Sequence, residues 1–157
     1  MATLEAEPTG WASWSADVMA GSEKVTRLEI TLWRTRGRFE LEGEPFSVEP
    51  SGFFLLNATL QRRETLIARA EKTSFWRRSF LITSAGHRMT LESRSWRGRE
   101  YALILGGREV GTVTRQGLSG RKVRLDFPDE VPPALQIFLL YLVLAQARRE
   151  AAAASGG

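Results

Sequence analysis

Between residues 24 and 127 apolar and polar positions alternate in short runs broken by turns. That is the period of antiparallel strands with one buried face. Residues 25–33 alternate cleanly, and residues 38–42 and 46–48 flank a turn at Gly43, Glu44 and Pro45. Residues 53–60 and 65–70 form a second hairpin, and residues 79–83 and 88–92 a third. Residues 101–105 and 109–113 form a fourth around Gly106-Gly107, a pair suited to the positive φ angles of a tight turn. A last strand over 121–127 runs into Pro128. The pattern predicts about nine or ten strands.

After Pro132-Pro133 the pattern changes. Over residues 134–147 only Gln136 and Gln146 are polar, and the first charges are Arg148 and Arg149. A surface helix would show a polar stripe, so a helix apolar all round must be enclosed. A bilayer span needs about 20 apolar residues, and this run supplies roughly half. Closure of the strands into a barrel removes unpaired edges, and a wide barrel has a lumen that a helix can plug. The expected fold is therefore mainly β: an antiparallel, barrel-like sheet of about nine or ten strands enclosing a C-terminal hydrophobic α-helix. Residues 1–23 read as a partly flexible N-terminal segment. Residues 24–150 read as one domain with its central helix over 134–149, and residues 151–157 as a disordered tail.

A weak repeat runs through the strands. Trp33-Arg34 precedes Phe39 and Leu41, Trp76-Arg77 precedes Phe80 and Ile82, and Trp96-Arg97 precedes Tyr101 and Leu103. Two readings stand. Structurally, the tryptophans cap barrel corners and the arginines stack over them by cation–π contact. Functionally, the indoles lie at headgroup depth while guanidiniums pair with lipid phosphate. Repetition at each hairpin start argues for architecture.

Composition narrows the chemistry. The 157 residues are 43% hydrophobic and 25% charged, which suits a single globular domain. No cysteine is present, so disulfides and thiolate metal sites are excluded. His87 is the sole histidine, which leaves only carboxylates for a metal site. The net charge of +4 rests on arginine, since Lys24, Lys72 and Lys122 are the only lysines. It fits either a codon bias on solvated strand faces or an anion-facing surface built from bidentate forks. Gly106 to Thr112 has glycines at P-loop spacing but lacks the lysine and leads into a strand. Gly117 to Gly120 has no nucleophile-elbow spacing, and no carboxylate pair stands out. No catalytic residue, metal or cofactor is expected. The first residues lack a basic start and an apolar core of a signal peptide, so the expected location is cytoplasmic.

The segment 101–111 with its Val110-Gly111-Thr112-Val113 return, Leu125 to Asp129, and the apolar run 138–144 resemble the tubby C-terminal-like fold. That fold is shared by tubby proteins, phospholipid scramblases and LURP-one-related proteins, and has many small bacterial members. The resemblance covers roughly residues 25–149. It implies a non-enzymatic binding or scaffold module, peripheral to a membrane, with an anionic phospholipid as partner and no transmembrane span. Tubby domains bind phosphoinositide headgroups and scramblases act on phospholipids; the acidic calcium-binding segment of scramblases has no counterpart here. The candidate headgroup site is Arg34, Trp76, Arg77, Arg78, Trp96, Arg97 and Arg99. The alternative is a nucleic-acid-binding accessory domain that stacks bases on the same indoles.

Overall fold

The computed structural model describes residues 3–10, 13–31, 35–52, 56–74, 77–117 and 119–156. The strands are β1 (Thr3–Pro8), β2 (Ala16–Ala20), β3 (Glu23–Ile30), β4 (Gly37–Leu41), β5 (Glu44–Ser51) and β6 (Asn57–Arg62). They continue as β7 (Thr65–Lys72), β8 (Ser79–Ser84), β9 (His87–Ser93), β10 (Glu100–Leu105), β11 (Arg108–Gln116) and β12 (Lys122–Asp126), followed by α1 (Pro133–Gly156). All twelve strands pair antiparallel with their chain neighbours in a closed barrel. β1 completes the ring: Thr3 faces Asp126 of β12, and Glu5 faces Met19 of β2.

The barrel has twelve strands rather than nine or ten, and the two additional ones, β1 and β2, lie within residues 1–23. The enclosed helix explains the number. Strands about 4.8 Å apart and tilted by about 40° place a twelve-stranded wall at a radius of roughly 12 Å. A helix with its side chains takes ~5–6 Å of that, leaving one layer for inward side chains. A nine-stranded wall would leave only about 3 Å, too little for the inward Phe80, Leu60 and Leu91, which are fully buried.

The helix fills the lumen. From Leu135 to Ala147 every residue is buried, and the core combines Tyr141, Phe138 and Leu140 with wall residues such as Val18, Leu28, Val48, Ile82, Val113 and Leu125. Pro133 stands in the first turn, where its missing N–H costs nothing. The Val131 N–H donates to the Pro128 carbonyl at 3.1 Å and the Gln136 amide Nε2 to the Val131 carbonyl at 3.0 Å, which seals the inward turn. α1 continues to Gly156, past the expected end at 149 and through the supposed tail, because alanine is the strongest helix former.

Two glycines permit close approach. A Cβ at Gly37 would lie 2.9 Å from the Tyr141 ring, and one at Gly111 would overlap the Phe127 ring and stand 2.6 Å from the Asp126 carbonyl oxygen. Bulges fall at Val18/Met19, Leu60/Gln61 and Leu103/Ile104, about 42 residues apart, so the repeat unit is four strands.

Antiparallel order sorts the connections into two ends. The turns at 21–22, 42–43, 63–64, 85–86 and 106–107 share the end where α1 begins. The longer connections 9–15, 31–36, 52–56, 73–78, 94–99 and 117–121 share the end where it emerges. The outer wall carries ion pairs, including Arg27–Asp17 at 2.6 Å, Lys24–Asp17 at 3.2 Å and Arg124–Asp126 at 2.9 Å. A charged outside over an apolar inside is the inverse of a lipid-facing barrel band. Among the described residues no helix is long and apolar enough to cross a membrane.

Leu140→Glu should abolish cooperative folding, since a carboxylate would be buried there without a partner. Gly111→Ala should lower stability by about 1–3 kcal/mol through overpacking against Phe127 and backbone. Urea unfolding followed by tryptophan emission measures both, and an unchanged midpoint for Gly111→Ala would refute the close approach.

Candidate functional site

The longer connections are the chemically distinctive part of the chain. By sequence, residues 9–15, 31–36, 52–56, 73–78, 94–99 and 117–121 contain no Asp or Glu. They hold all five tryptophans, Trp11, Trp14, Trp33, Trp76 and Trp96, together with Phe53, Phe54 and Phe75. Positions at the four-strand interval match: Trp11, Phe53 and Trp96 form one set, and Trp33, Trp76 and Leu118 the other. Of the expected site, Arg34 and Trp76, with Trp33, lie outside the described residues.

Trp96 is 81% exposed, so it does not cap the barrel, and the Arg97 guanidinium lies 5.0 Å from its ring centroid. Arg77 and Arg97 are exposed. The loop beneath Trp96 is rigidly built. The Ser95 hydroxyl accepts the Arg99 N–H at 2.9 Å and the Glu100 N–H at 3.3 Å, and the Ser93 hydroxyl donates to the Ser95 carbonyl at 2.7 Å.

The other expected arginines are already engaged. Arg78 Nε contacts both Glu150 oxygens at 2.7 and 2.8 Å while Nη1 donates to the Trp96 carbonyl. Arg99 Nη1 donates to the Gly117 carbonyl at 2.9 Å. Arginines outside the expected set do the same work. Arg115 donates to the carbonyls of Gly120 at 2.7 Å and Gly98 at 3.1 Å. Arg121 reaches the Ser13 carbonyl at 2.6 Å with its guanidinium 5.6 Å from the Trp14 ring centroid. From the helix, Arg148 donates to the Thr31 carbonyl at 2.8 Å, Arg149 to that of Gly52 at 3.4 Å, and the Tyr141 hydroxyl to that of Thr35 at 2.7 Å. All six connections are thereby tied to one another or to α1. The planar fork of arginine serves two carbonyls at once, which the lysine ammonium does with less order.

Charge at this end is unbalanced. Glu150 is half-buried; burial pushes its carboxyl up, but hydrogen bonds from Arg78 and Gln146 and the nearby cations outweigh that and hold it below the usual range. Lys72, at the end of β7, is pushed down by burial; the Glu150 carboxylate works against this, and Arg78 and Arg149 add to it. Burial likewise raises the Tyr101 hydroxyl and lowers Arg115. The rim is thus cationic, with exposed indole and guanidinium above a stapled base.

The opposite end holds an apolar cleft of about 470 Å³ lined by Met89, Leu103, Leu105, Val110, Val131 and Leu135, with exposed His87 and Glu130 beside it. Among the described residues no group of three or more His, Asp or Glu side chains is placed to hold a metal ion. The sequence reading missed the connections 9–15, 52–56 and 117–121 and the Trp14–Arg121 stack. The signal that marks them is the lack of acidic residues in every second connection. No protein-family model, curated protein or solved structure matches this chain.

Glu150→Gln should cost about 1–2 kcal/mol near neutral pH, the scale of a charge-assisted hydrogen bond in a partly solvated site. Because the folded carboxyl titrates below the unfolded one, this stabilisation is complete above the unfolded pKa of about 4.3 and is lost as pH falls through the folded value. Urea midpoints of the two proteins should therefore converge in acid. Curves that stay parallel down to the acid limit would contradict the Arg78–Glu150 assignment.

Proposed function

We propose that the protein is a non-enzymatic binding module that docks the long-connection end of its barrel on an anionic phospholipid surface. One observation carries the reading: every tryptophan of the chain falls in connections that lack acidic residues and share one end of the barrel. Indole is amphipathic and favours the depth of lipid headgroups, and cations near an anionic leaflet gain about 1 kcal/mol each. Trp96 and Arg97 are the exposed contact pair, with exposed Arg77 at the sequence-equivalent position of the neighbouring connection and Trp76 and Arg34 completing the candidate set. Arg78 and Arg99 act by holding the loops in place. The tubby-like resemblance supports the same partner class. A location peripheral to the cytoplasmic face of a membrane follows from this reading.

Nucleic acid is the competing ligand, because the Trp96–Arg97 pair would also stack a base against indole. A ring of loops around an emerging helix forms a face, however, whereas single strands are usually tracked along a groove. Lipid is therefore the better fit.

Co-sedimentation with phosphatidylserine-containing vesicles should show binding that weakens as salt rises from 50 to 300 mM, ~14 to ~6 Å of screening length, with none to phosphatidylcholine alone. Arg77→Ala with Arg97→Ala should weaken it roughly 30-fold, about 1 kcal/mol for each charge removed. Equal affinity for single-stranded DNA and for the vesicles would favour the competing reading.

A further inference from the structure

The end of α1 lies in the middle of the same face. Arg148 is bonded to Thr31, Arg149 to Gly52 and Glu150 to Arg78, so the helix emerges among three separate connections. Beyond them Ala151 to Ser155 are exposed, still helical and without a charged side chain. The Ser155 hydroxyl is turned back onto the Ala151 carbonyl at 2.6 Å. At 1.5 Å per residue, residues 151–156 extend about 9 Å beyond the last arginine staples.

We infer that this uncharged helical segment is a peg at the centre of the docking face, and that the barrel stands end-on with the peg inside the headgroup layer. The inference rests on the membrane reading above. A rigid partner would need a socket about 9 Å deep before it could meet Trp96 and Arg97, whereas a headgroup layer yields around the peg. Four small alanines enter that layer without placing a charged side chain opposite lipid phosphate. Depth is limited as well: Arg97 stays at the level of lipid phosphate, and Ala153 lies only four residues, about 6 Å, beyond Arg149. The exposed Arg77 and Arg97 then stand on the rim to one side of an uncharged centre. End-on docking turns the apolar cleft beside His87 and Glu130 away from the bilayer.

The chain has no cysteine, so Ala153→Cys gives a single attachment point for an environment-sensitive nitrobenzoxadiazole label on the full chain. With vesicles of phosphatidylserine and phosphatidylcholine, its emission should shift to the blue. Headgroup-level spin-labelled lipid should quench it more than lipid labelled deep in the acyl chain. The same label at Glu64→Cys, on an exposed turn of the other end, should not respond. In the unlabelled protein, Ala152→Glu with Ala153→Glu should weaken vesicle binding at least 10-fold while the urea midpoint stays unchanged. Vesicle binding with an aqueous emission at position 153, or a response at position 64, would overturn end-on docking and leave the membrane reading standing. Loss of vesicle binding by the unmodified protein would instead overturn the membrane reading and this inference together.

Discussion

A helix buried on every side from Leu135 to Ala147 is the constraint on which the rest of the structure depends. Such a segment has no face to give to solvent, so the wall must surround it completely and leave no unpaired edge along the helix. Complete closure of an antiparallel sheet requires an even number of strands, because each strand must run opposite to both neighbours. Twelve is the even number that leaves room for one layer of wall side chains around the helix. Gly37 and Gly111 mark where even that layer is too thick, opposite Tyr141 and beside Phe127.

Closure also gives the molecule two unlike ends. In an up-and-down barrel, alternate connections lie at opposite ends, so any feature repeated every second connection is gathered into a ring. Repetition of tryptophan and arginine along the chain suggested architecture, on the ground that a site does not need the same pair three times around a wall. The topology changes the weight of that argument, since the connections 31–36, 73–78 and 94–99, to which the three pairs belong by sequence, leave the wall at one end. Trp96, almost fully exposed, is not a corner cap. The opposite end, closed by two-residue turns such as Glu42-Gly43 and Gly106-Gly107, contains no aromatic residue in its turns.

The central helix and ten strands were legible because alternation and an unbroken apolar run are strong local signals. β1 and β2 were not. Their inward residues are Leu4, Ala6, Ala16 and Val18, few and small, with Pro8 and the glycine-containing connection 9–15 between them. Missing this pair also hid the connection 9–15, which joins the ring of long connections only once β1 and β2 are in place. The last turns of α1 were obscured for another reason: alanines next to serine and glycine suit a tail as well as a helix, and only the docking of Arg148, Arg149 and Glu150 on the rim commits them. The candidate site was legible as a composition and not as a division of labour. Carbonyl acceptors leave no trace in a sequence, so Arg78 and Arg99 looked the same as Arg97.

That division of labour bears on why arginine predominates over lysine. A loop of five to seven residues at the mouth of a barrel has carbonyls that no strand partner satisfies, and each costs free energy if it is left buried and unpaired. Arg115 serves two such carbonyls, and Arg78 serves one together with a carboxylate. Each remains cationic while doing so, because a neutral carbonyl accepts a hydrogen bond without cancelling charge. The stapling arginines therefore raise the positive potential of the rim even though their donors are occupied, and Glu150 offsets only part of it. Loop architecture and positive potential are then two consequences of the same side chains: the arginines that order the loops also supply a positive field around the exposed Trp96–Arg97 pair.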